Sequence, residues 1–131
     1  MNRFAAKLLF QFRIAKGGKS NQRRTCEERI VLLESRSAEA AYQRAVALGK
    51  NRQFSYDALP GTKVHVEFVG VLDLLRLDVA CEPDEVWYDI VEILRPKERA
   101  RRLIPPKAKL DALFWERVEK SSKRKTRRRR A

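Results

Sequence analysis

The sequence has few of the residues that most catalytic and metal sites require. It contains two cysteines, Cys26 and Cys81, and one histidine, His65, among 131 residues. Two cysteines are too few for a disulfide framework and lack the spacing of a zinc site, so we expect reduced thiols in a cytoplasmic protein. A Ser-His or Cys-His catalytic arrangement would have to use His65, which we expect at the surface. No cofactor, metal site or small-molecule substrate is predicted.

Long apolar runs are also missing. The longest, such as residues 68–72, are far shorter than the roughly 18 to 20 residues of a membrane-spanning helix. Lys7 and Gln11 interrupt the apolar N-terminus, and no small-residue cleavage pattern follows them. We therefore expect neither membrane insertion nor a signal peptide, and the strict alternation favours a strand over a mitochondrial presequence.

Acidic residues are absent from both ends of the chain. Residues 1–26 hold seven cationic side chains and residues 120–131 hold eight, in both cases without an acid. Residues 27–119 hold 15 cationic and 17 acidic side chains, so the net charge of +13 is concentrated at the ends. Because a cationic surface attracts polyanions, we expect nucleic acid, RNA or DNA, as the partner.

The hydropathy pattern predicts a compact α+β domain over residues 1–95. Residues 4–14 alternate between apolar and polar positions, as a half-buried strand does. Residues 16–25 collect glycine, polar and cationic residues, as in a hairpin loop, and residues 27–34 follow as the returning strand. Ser37 is placed to cap a helix that we expect to end at Gly49.

Two further strands are predicted after this helix. Residues 53–62 are interpreted as a loop around a tight turn at Pro60 and Gly61. Residues 63–77 form the third predicted strand, with a bulge or bend at Gly70, and residues 85–94 form the fourth. We therefore expect a four-stranded antiparallel sheet in the order strand, strand, helix, strand, strand, with the helix on one face.

The character of the chain changes after Pro96. Residues 96–119 are predicted to be a helical extension, and residues 120–131 a basic tail that is disordered in isolation. An apolar stripe at helical spacing is expected to dock on the sheet or on a protein partner. It consists of Leu110, Leu113, Phe114 and Val118.

One block of the sequence resembles a known family. The segment "EERIVLLESRSAEAAYQRAVALG", followed by "VEFVGVLDLLRL", is similar to the bacterial domain of unknown function 4288, whose members open with an aromatic-rich strand, here "FAAKLLFQF". The resemblance covers residues 4–93 and leaves out the C-terminal extension. It implies a small domain of strands and one helix, and it implies no activity and no catalytic residue.

Two catalytic interpretations are weak. The "GGKS" of residues 17–20 lacks the upstream glycine and the following helix of a phosphate-binding loop. A metal-dependent nuclease that uses strand carboxylates is a lesser alternative, but no lysine lies two positions after Glu85, Glu92 or Glu98, where a restriction-type site would need one. We therefore expect a protein that is not an enzyme.

Binding to nucleic acid, with RNA or a ribonucleoprotein first, is the function that the sequence favours. Eight tail cations on a single strand would give a log–log salt slope of about −6. The predicted phosphate contacts are Arg13, Lys16, Lys19, Arg23, Arg24, Lys120, Lys123, Arg124, Lys125, Arg127, Arg128, Arg129 and Arg130.

Other interpretations remain open. Phe54 and Tyr56 are candidates for base stacking beside Lys50 and Arg52, but we assign each ring to the core. The second function is a protein-interaction module, such as an immunity or antitoxin-like partner, that uses the apolar stripe. The basic tail could also serve only solubility or localisation.

Overall fold

The computed structural model describes the backbone of residues 1–130 and the side chains of residues 1–124. It divides into two compact units, Met1–Asp89 and a second unit that begins at Ile90. All strands and all buried apolar side chains in the described part of the chain belong to the first unit. The fold is α+β, as predicted.

An antiparallel sheet forms the first unit, with its two longest strands paired at the centre. Its strands are β1 (Asn2–Lys16), β2 (Lys19–Ser20), β3 (Thr25–Ser35), β4 (Phe54–Leu59) and β5 (Thr62–Arg76). β1 pairs with β5 along one edge and with β3 and then β2 along the other, while β4 pairs with the outer edge of β5. The strands predicted over residues 4–14 and 27–34 are confirmed, with slightly longer bounds.

The alternation along β1 separates two faces of the sheet, because successive side chains of a strand point in opposite directions. Phe4, Leu8 and Phe10 are at most 1% exposed and pack with Ala41 and Ala45 of helix α1 (Ala38–Asn51). We call this the helix-bearing face. The opposite face carries the other residues of β1, among them Lys7, Gln11 and Arg13.

Helix α1 begins where the sequence places it. The Ser37 hydroxyl accepts a hydrogen bond from the Ala40 amide at 3.1 Å, which satisfies an otherwise unpaired N–H of the first turn. The predicted end at Gly49 is wrong, because the helix continues to Asn51 and Gly49 keeps a negative φ. Gly49 instead lets the helix approach the sheet, since a Cβ there would lie 2.5 Å from the Phe68 ring.

The bend predicted at Gly70 is present in β5. Leu9 of β1 pairs with Gly70 between two register shifts, which leave Val69 and Leu72 without a partner on β1. These two side chains are 54% and 47% exposed. The bulges therefore interrupt the regular burial of β5 halfway along its length.

Two segments differ from the predicted strand assignment. Residues 54–59, interpreted as a loop, form β4, which turns at Pro60 and Gly61 directly into β5. Residues 85–94, predicted as the fourth strand, form no strand. A two-residue turn closes the β4–β5 hairpin at little entropic cost, whereas residues 85–94 have no neighbouring strand in the described structure. The order strand, strand, helix, strand, strand still holds for the four long strands.

A short helix, α2 (Leu77–Ala80), follows β5 and buries Leu77. The second unit contains α3 (Ala100–Leu103), a 3₁₀ turn (Lys107–Lys109) and α4 (Asp111–Arg130), so the predicted helical extension is present. Among its described side chains none is buried, and only Arg99 and Leu113 are half-buried.

Helix α4 is longer than predicted. It includes residues 120–124, which the sequence analysis assigned to a disordered tail. Lysine and arginine are good helix formers, and extending an existing helix costs much less than nucleating a new one. The same prediction for residues 125–131 lies outside the part of the chain that the structure describes in full.

Candidate nucleic-acid interface

The basic hairpin, residues 16–24, projects from the end of the central strand. Gly17 and Gly18 have φ values of 58° and 77°, which only glycine adopts readily, and they form a two-residue turn between β1 and β2. Lys16 and Lys19 flank the turn and are direct cross-strand partners. Because like charges directly opposite each other repel, a bound anion would relieve an unfavourable contact here.

Asn21 ties the base of this hairpin to β1. Its amide oxygen accepts a hydrogen bond from the Ile14 amide at 2.7 Å, and its backbone carbonyl accepts one from Nε of Arg24 at 2.7 Å. Arg24 is half-buried, whereas Arg23 beside it is exposed. These hydrogen bonds fix the base of the hairpin, and Lys16, Lys19 and Arg23 are exposed to solvent.

Arg13, the first of the predicted phosphate contacts, already forms an ion pair with a carboxylate. Its guanidinium pairs with Glu67 of β5 through Nε–Oε1 at 2.7 Å and Nη2–Oε2 at 3.2 Å. Nη1 of Arg13 also donates to the Ser20 hydroxyl at 2.9 Å. Gln11 joins this group by donating to Glu67 at 3.2 Å and accepting from Arg24 at 3.1 Å.

The pKa values within this group follow from these contacts. Hydrogen bonding to Glu67 raises the pKa of Arg13, and hydrogen bonding from Arg13 lowers the pKa of the Glu67 carboxyl. The two side chains are 27% and 33% exposed. Arg13 and Arg24 thus serve first to hold the hairpin against the sheet, and the exposed lysines and Arg23 are the hairpin residues open to a ligand.

The second predicted basic element belongs to α4. Lys120, Lys123 and Arg124 are exposed along its described part. Lys125 and Arg127 to Arg130 lie outside the residues whose side chains the structure describes. In the described part of the second unit no ion pair involves these cations.

A third basic element was missed in the sequence analysis. Residues 95–102, which we call the basic turn, surround a concave pocket of about 660 Å³. The lining residues are Arg95, Lys97, Glu98, Arg99, Ala100, Arg101 and Arg102. The signal for it was the run "RPKERARR", in which five of eight residues are cationic.

The backbone of the basic turn is unusual at its first residue. Arg95 has a φ of 42°, although it precedes Pro96 and such residues normally adopt extended conformations. Nη1 of Arg99 donates to the Leu94 carbonyl at 3.1 Å and fixes the turn locally. Strained backbone of this kind is common at binding sites.

The apolar stripe predicted for partner binding is largely open to solvent. Leu110, Phe114 and Val118 are 46%, 45% and 42% exposed, and Leu113 is half-buried. Trp115 beside them is 55% exposed and donates from Nε1 to Asp111 at 3.1 Å. The stripe is therefore a free apolar surface within the second unit.

Groups with catalytic potential are sparse. His65 is half-buried on the opposite face, where its Nδ1 lies 2.7 Å from the Ser55 hydroxyl. Glu67, two residues further along β5, is held by Arg13 and Gln11. Among the described residues, no three His, Cys, Asp or Glu side chains lie close enough together to hold a metal ion. The geometry therefore adds no support for the nuclease alternative.

Two aromatic residues lie outside the core to which the sequence analysis assigned them. Phe54 is 53% and Tyr56 45% exposed on β4. The signal for them was the alternation of residues 54–59 before the Pro60–Gly61 turn, which indicates an edge strand with one uncovered side. This strand was missed because the segment is short.

No helix in the described part of the chain is long and apolar enough to span a membrane.

Comparison with known proteins identifies one family. No curated protein and no solved structure matches the chain. One family model matches residues 3–86, which is more than half of the 131 residues and lies entirely within the first unit. The match agrees with the resemblance seen in the sequence, and it likewise ends before the C-terminal extension. The chain therefore belongs to the family described as Domain of unknown function (DUF4288).

Proposed function

We propose that this protein is a non-enzymatic nucleic-acid-binding protein, with RNA or a ribonucleoprotein as its first candidate partner. The basic hairpin and the cations of α4 contact phosphates, and the folded first unit holds the hairpin in place. Phosphate contacts of this kind give affinity and position without reading the base sequence.

The observation that carries the proposal is the difference between paired and unpaired cations. The three ion pairs among the described side chains are Lys7–Asp89, Arg13–Glu67 and Arg29–Glu27. Each of them involves a cation that is partly covered by the first unit. The exposed cations of the hairpin and of α4 have no acidic partner in the described structure, as a surface for polyanions requires.

The basic turn supports the same function. Its guanidinium groups surround a concave space, and arginine forms bidentate hydrogen bonds with phosphate. Only Glu98 offsets the five cations that line it. We therefore include the turn among the phosphate contacts.

The test is fluorescence anisotropy of labelled RNA and DNA over a salt series. Three variants of the full chain replace cations by glutamine: one at Lys16, Lys19 and Arg23, one at Lys97, Arg101 and Arg102, and one at the eight cations of residues 120–131. On a single strand, each of the first two is expected to reduce the log–log salt slope by about 2 and the third by about 6, if every cation contacts a phosphate.

A matched control removes three exposed cations at the opposite end of the first unit from the hairpin, Arg36, Arg44 and Arg76. Because charges farther away than about 10 Å are screened at 0.1 M salt, its salt slope should stay near the wild-type value. An equal loss in the control would mean that net charge alone is responsible. Absence of wild-type binding at low salt would refute the function itself.

The exposed apolar stripe favours a second function, a protein-interaction module of the immunity or antitoxin-like kind. Leu110, Phe114 and Val118 form an uncovered surface on the second unit. A stoichiometric protein complex that co-purifies from native lysate, survives nuclease treatment and is lost on Phe114→Asp substitution would favour this function over the first.

A further inference from the structure

One end of the helix-bearing face is not covered by the helix. Helix α1 ends at Asn51, and the chain enters β4 at Phe54. The register places Ile14, Val64 and Tyr56 side by side on three neighbouring strands, one step beyond the row that contains Phe12 and Phe54. In this outer row Ile14 is 42% and Tyr56 45% exposed, while Val64 between them is 6% exposed; Phe4 and Phe10 under the helix are at most 1% exposed.

Two aromatic rings lie together on this uncovered surface. Phe54 and Tyr56 point to the same side of β4, with ring centroids 6.1 Å apart and ring planes inclined by 27°. About half of each side chain is exposed. Aromatic rings on an exposed sheet surface are platforms on which unpaired bases stack.

The charges around the rings have one sign. Lys16 and Lys19 form the next row on the helix-bearing face, two residues beyond Ile14 along β1. Lys50 and Arg52 lie where α1 leads into β4. The nearest strand acid in sequence, Asp57, pairs with Lys63 and belongs to the opposite face. By register, the uncovered end of this face therefore combines aromatic rings with cations and no acid.

We infer that this surface is a binding site for single-stranded nucleic acid, in which bases stack on Phe54 and Tyr56 while Lys16 and Lys19 contact the backbone. The inference rests on the proposed function and names its substrate class. A duplex does not fit, because its bases are stacked on one another and offer no free face to a ring. The aromatic pair supplies contacts to bases, and the lysines supply contacts to phosphates.

The first experiment compares aromatic substitutions at two places on the first unit of the full chain. Phe54→Leu/Tyr56→Leu removes the platform, and Tyr42→Leu removes a ring from α1 that is 44% exposed, against 45% for Tyr56. With a labelled single-stranded RNA, the double variant is expected to bind roughly 100-fold more weakly. The Tyr42 variant is expected to bind as wild type does, and circular dichroism and thermal unfolding verify that all variants are folded.

The second experiment separates stacking from phosphate contact. An abasic strand of the same length keeps the backbone charge and lacks the bases, so the platform variant and wild type should bind it equally. Lys16→Gln/Lys19→Gln should weaken binding to both strands. The wild type should also bind the single strand at least 10-fold more tightly than a duplex of the same length, at equal salt.

The outcomes distinguish the inference from the proposed function. Three results would overturn the inference and leave the function in place. The first is that loss of both rings does not weaken binding, and the second is that Tyr42→Leu weakens binding as much as the double variant does. The third is that the wild type binds duplex and single strand equally tightly. Failure of the wild type to bind any strand at low salt would refute the function.

Discussion

The two units of this protein contrast in charge and in burial. Residues 1–89 hold 14 cationic and 12 acidic side chains, whereas residues 90–131 hold 16 cationic and 5 acidic ones. The first unit therefore has a net charge of +2 and the second +11, together the +13 of the chain. The first also contains every buried apolar side chain in the described structure. Apolar burial holds the first unit together, while most of the net positive charge lies in the second.

This contrast bears on what the family match implies. The match covers residues 3–86 and stops where the charge balance changes. Within those residues three exposed cations without an ion pair, Lys16, Lys19 and Arg23, lie on the basic hairpin, and others such as Arg36 and Arg76 are dispersed over the first unit. We therefore expect strong polyanion binding to depend mainly on the extension, and any preference for single strands to depend on the family domain.

Removing one phenylalanine from each unit should show the difference in burial most strongly. Phe10 is fully buried, with its ring 5.6 Å from that of Phe68, and Phe10→Ala should reduce the free energy of unfolding by about 3 to 5 kcal/mol. Phe114 is 45% exposed, and Phe114→Ala should change it by no more than about 0.5 kcal/mol. Urea unfolding followed by circular dichroism measures both.

A loss above about 1 kcal/mol for Phe114→Ala would contradict the difference in burial between the units, because it would show that the second unit has a core of its own or is covered by a partner. If Phe10→Ala does not fold, Val66→Ala tests the same core with a smaller change, because Val66 is also fully buried.

The sequence predicted the first unit better than the second, for a physical reason. Strand alternation in β1 and the Ser37 cap are local patterns, and both are present. Residues 85–94 were also predicted to be a strand, but a strand requires a hydrogen-bonded neighbour, and the sequence of the segment does not show whether one exists. The six residues of β4 were missed because a segment this short gives only a weak periodic signal.

The sequence also predicted only part of the candidate site. Charge counts located the basic hairpin and the cations of α4, but they could not show that Glu67 holds Arg13. That pairing depends on the register between β1 and β5, which brings together residues 54 positions apart. The basic turn was visible as a charge run, and only its curvature makes it a pocket.

A second substitution tests how tightly the first unit is packed. Gly49→Ala places a Cβ within 2.5 Å of the Phe68 ring, so helix and sheet must move apart. Overpacking costs about 1 to 3 kcal/mol and outweighs the roughly 0.5 to 1 kcal/mol that alanine gains over glycine within a helix. Thermal unfolding should show a lower melting temperature for this variant.

Gly70→Ala is the matched control, since no heavy atom lies within 4 Å of a Cβ built there and its φ is not positive. Its melting temperature should stay near that of wild type. A Gly49→Ala variant that is as stable as Gly70→Ala would mean that α1 does not press against the sheet at this point.

The smallest expected effect on stability comes from removing the ion pair between Arg13 and Glu67 in the first unit. Glu67→Gln removes the carboxylate that Arg13 contacts, with little change of shape. Because Arg13 lowers the pKa of Glu67 in the folded state, the ion pair stabilises the fold at pH values above the ordinary glutamate pKa of about 4.3. That stabilisation is lost as the pH falls through the lower, folded-state pKa.

Wild type should therefore melt at a higher temperature than Glu67→Gln at neutral pH, and the difference should shrink as the solution is acidified below the ordinary glutamate pKa. Glu28→Gln, at an exposed position of β3, serves as the control for the loss of one carboxylate, and at neutral pH its melting temperature should stay near that of wild type. A gap that stays constant with pH would mean that the glutamine acts through packing. The charge of Arg13 would then not be neutralised by Glu67, and the distinction between paired and unpaired cations would fail at this residue.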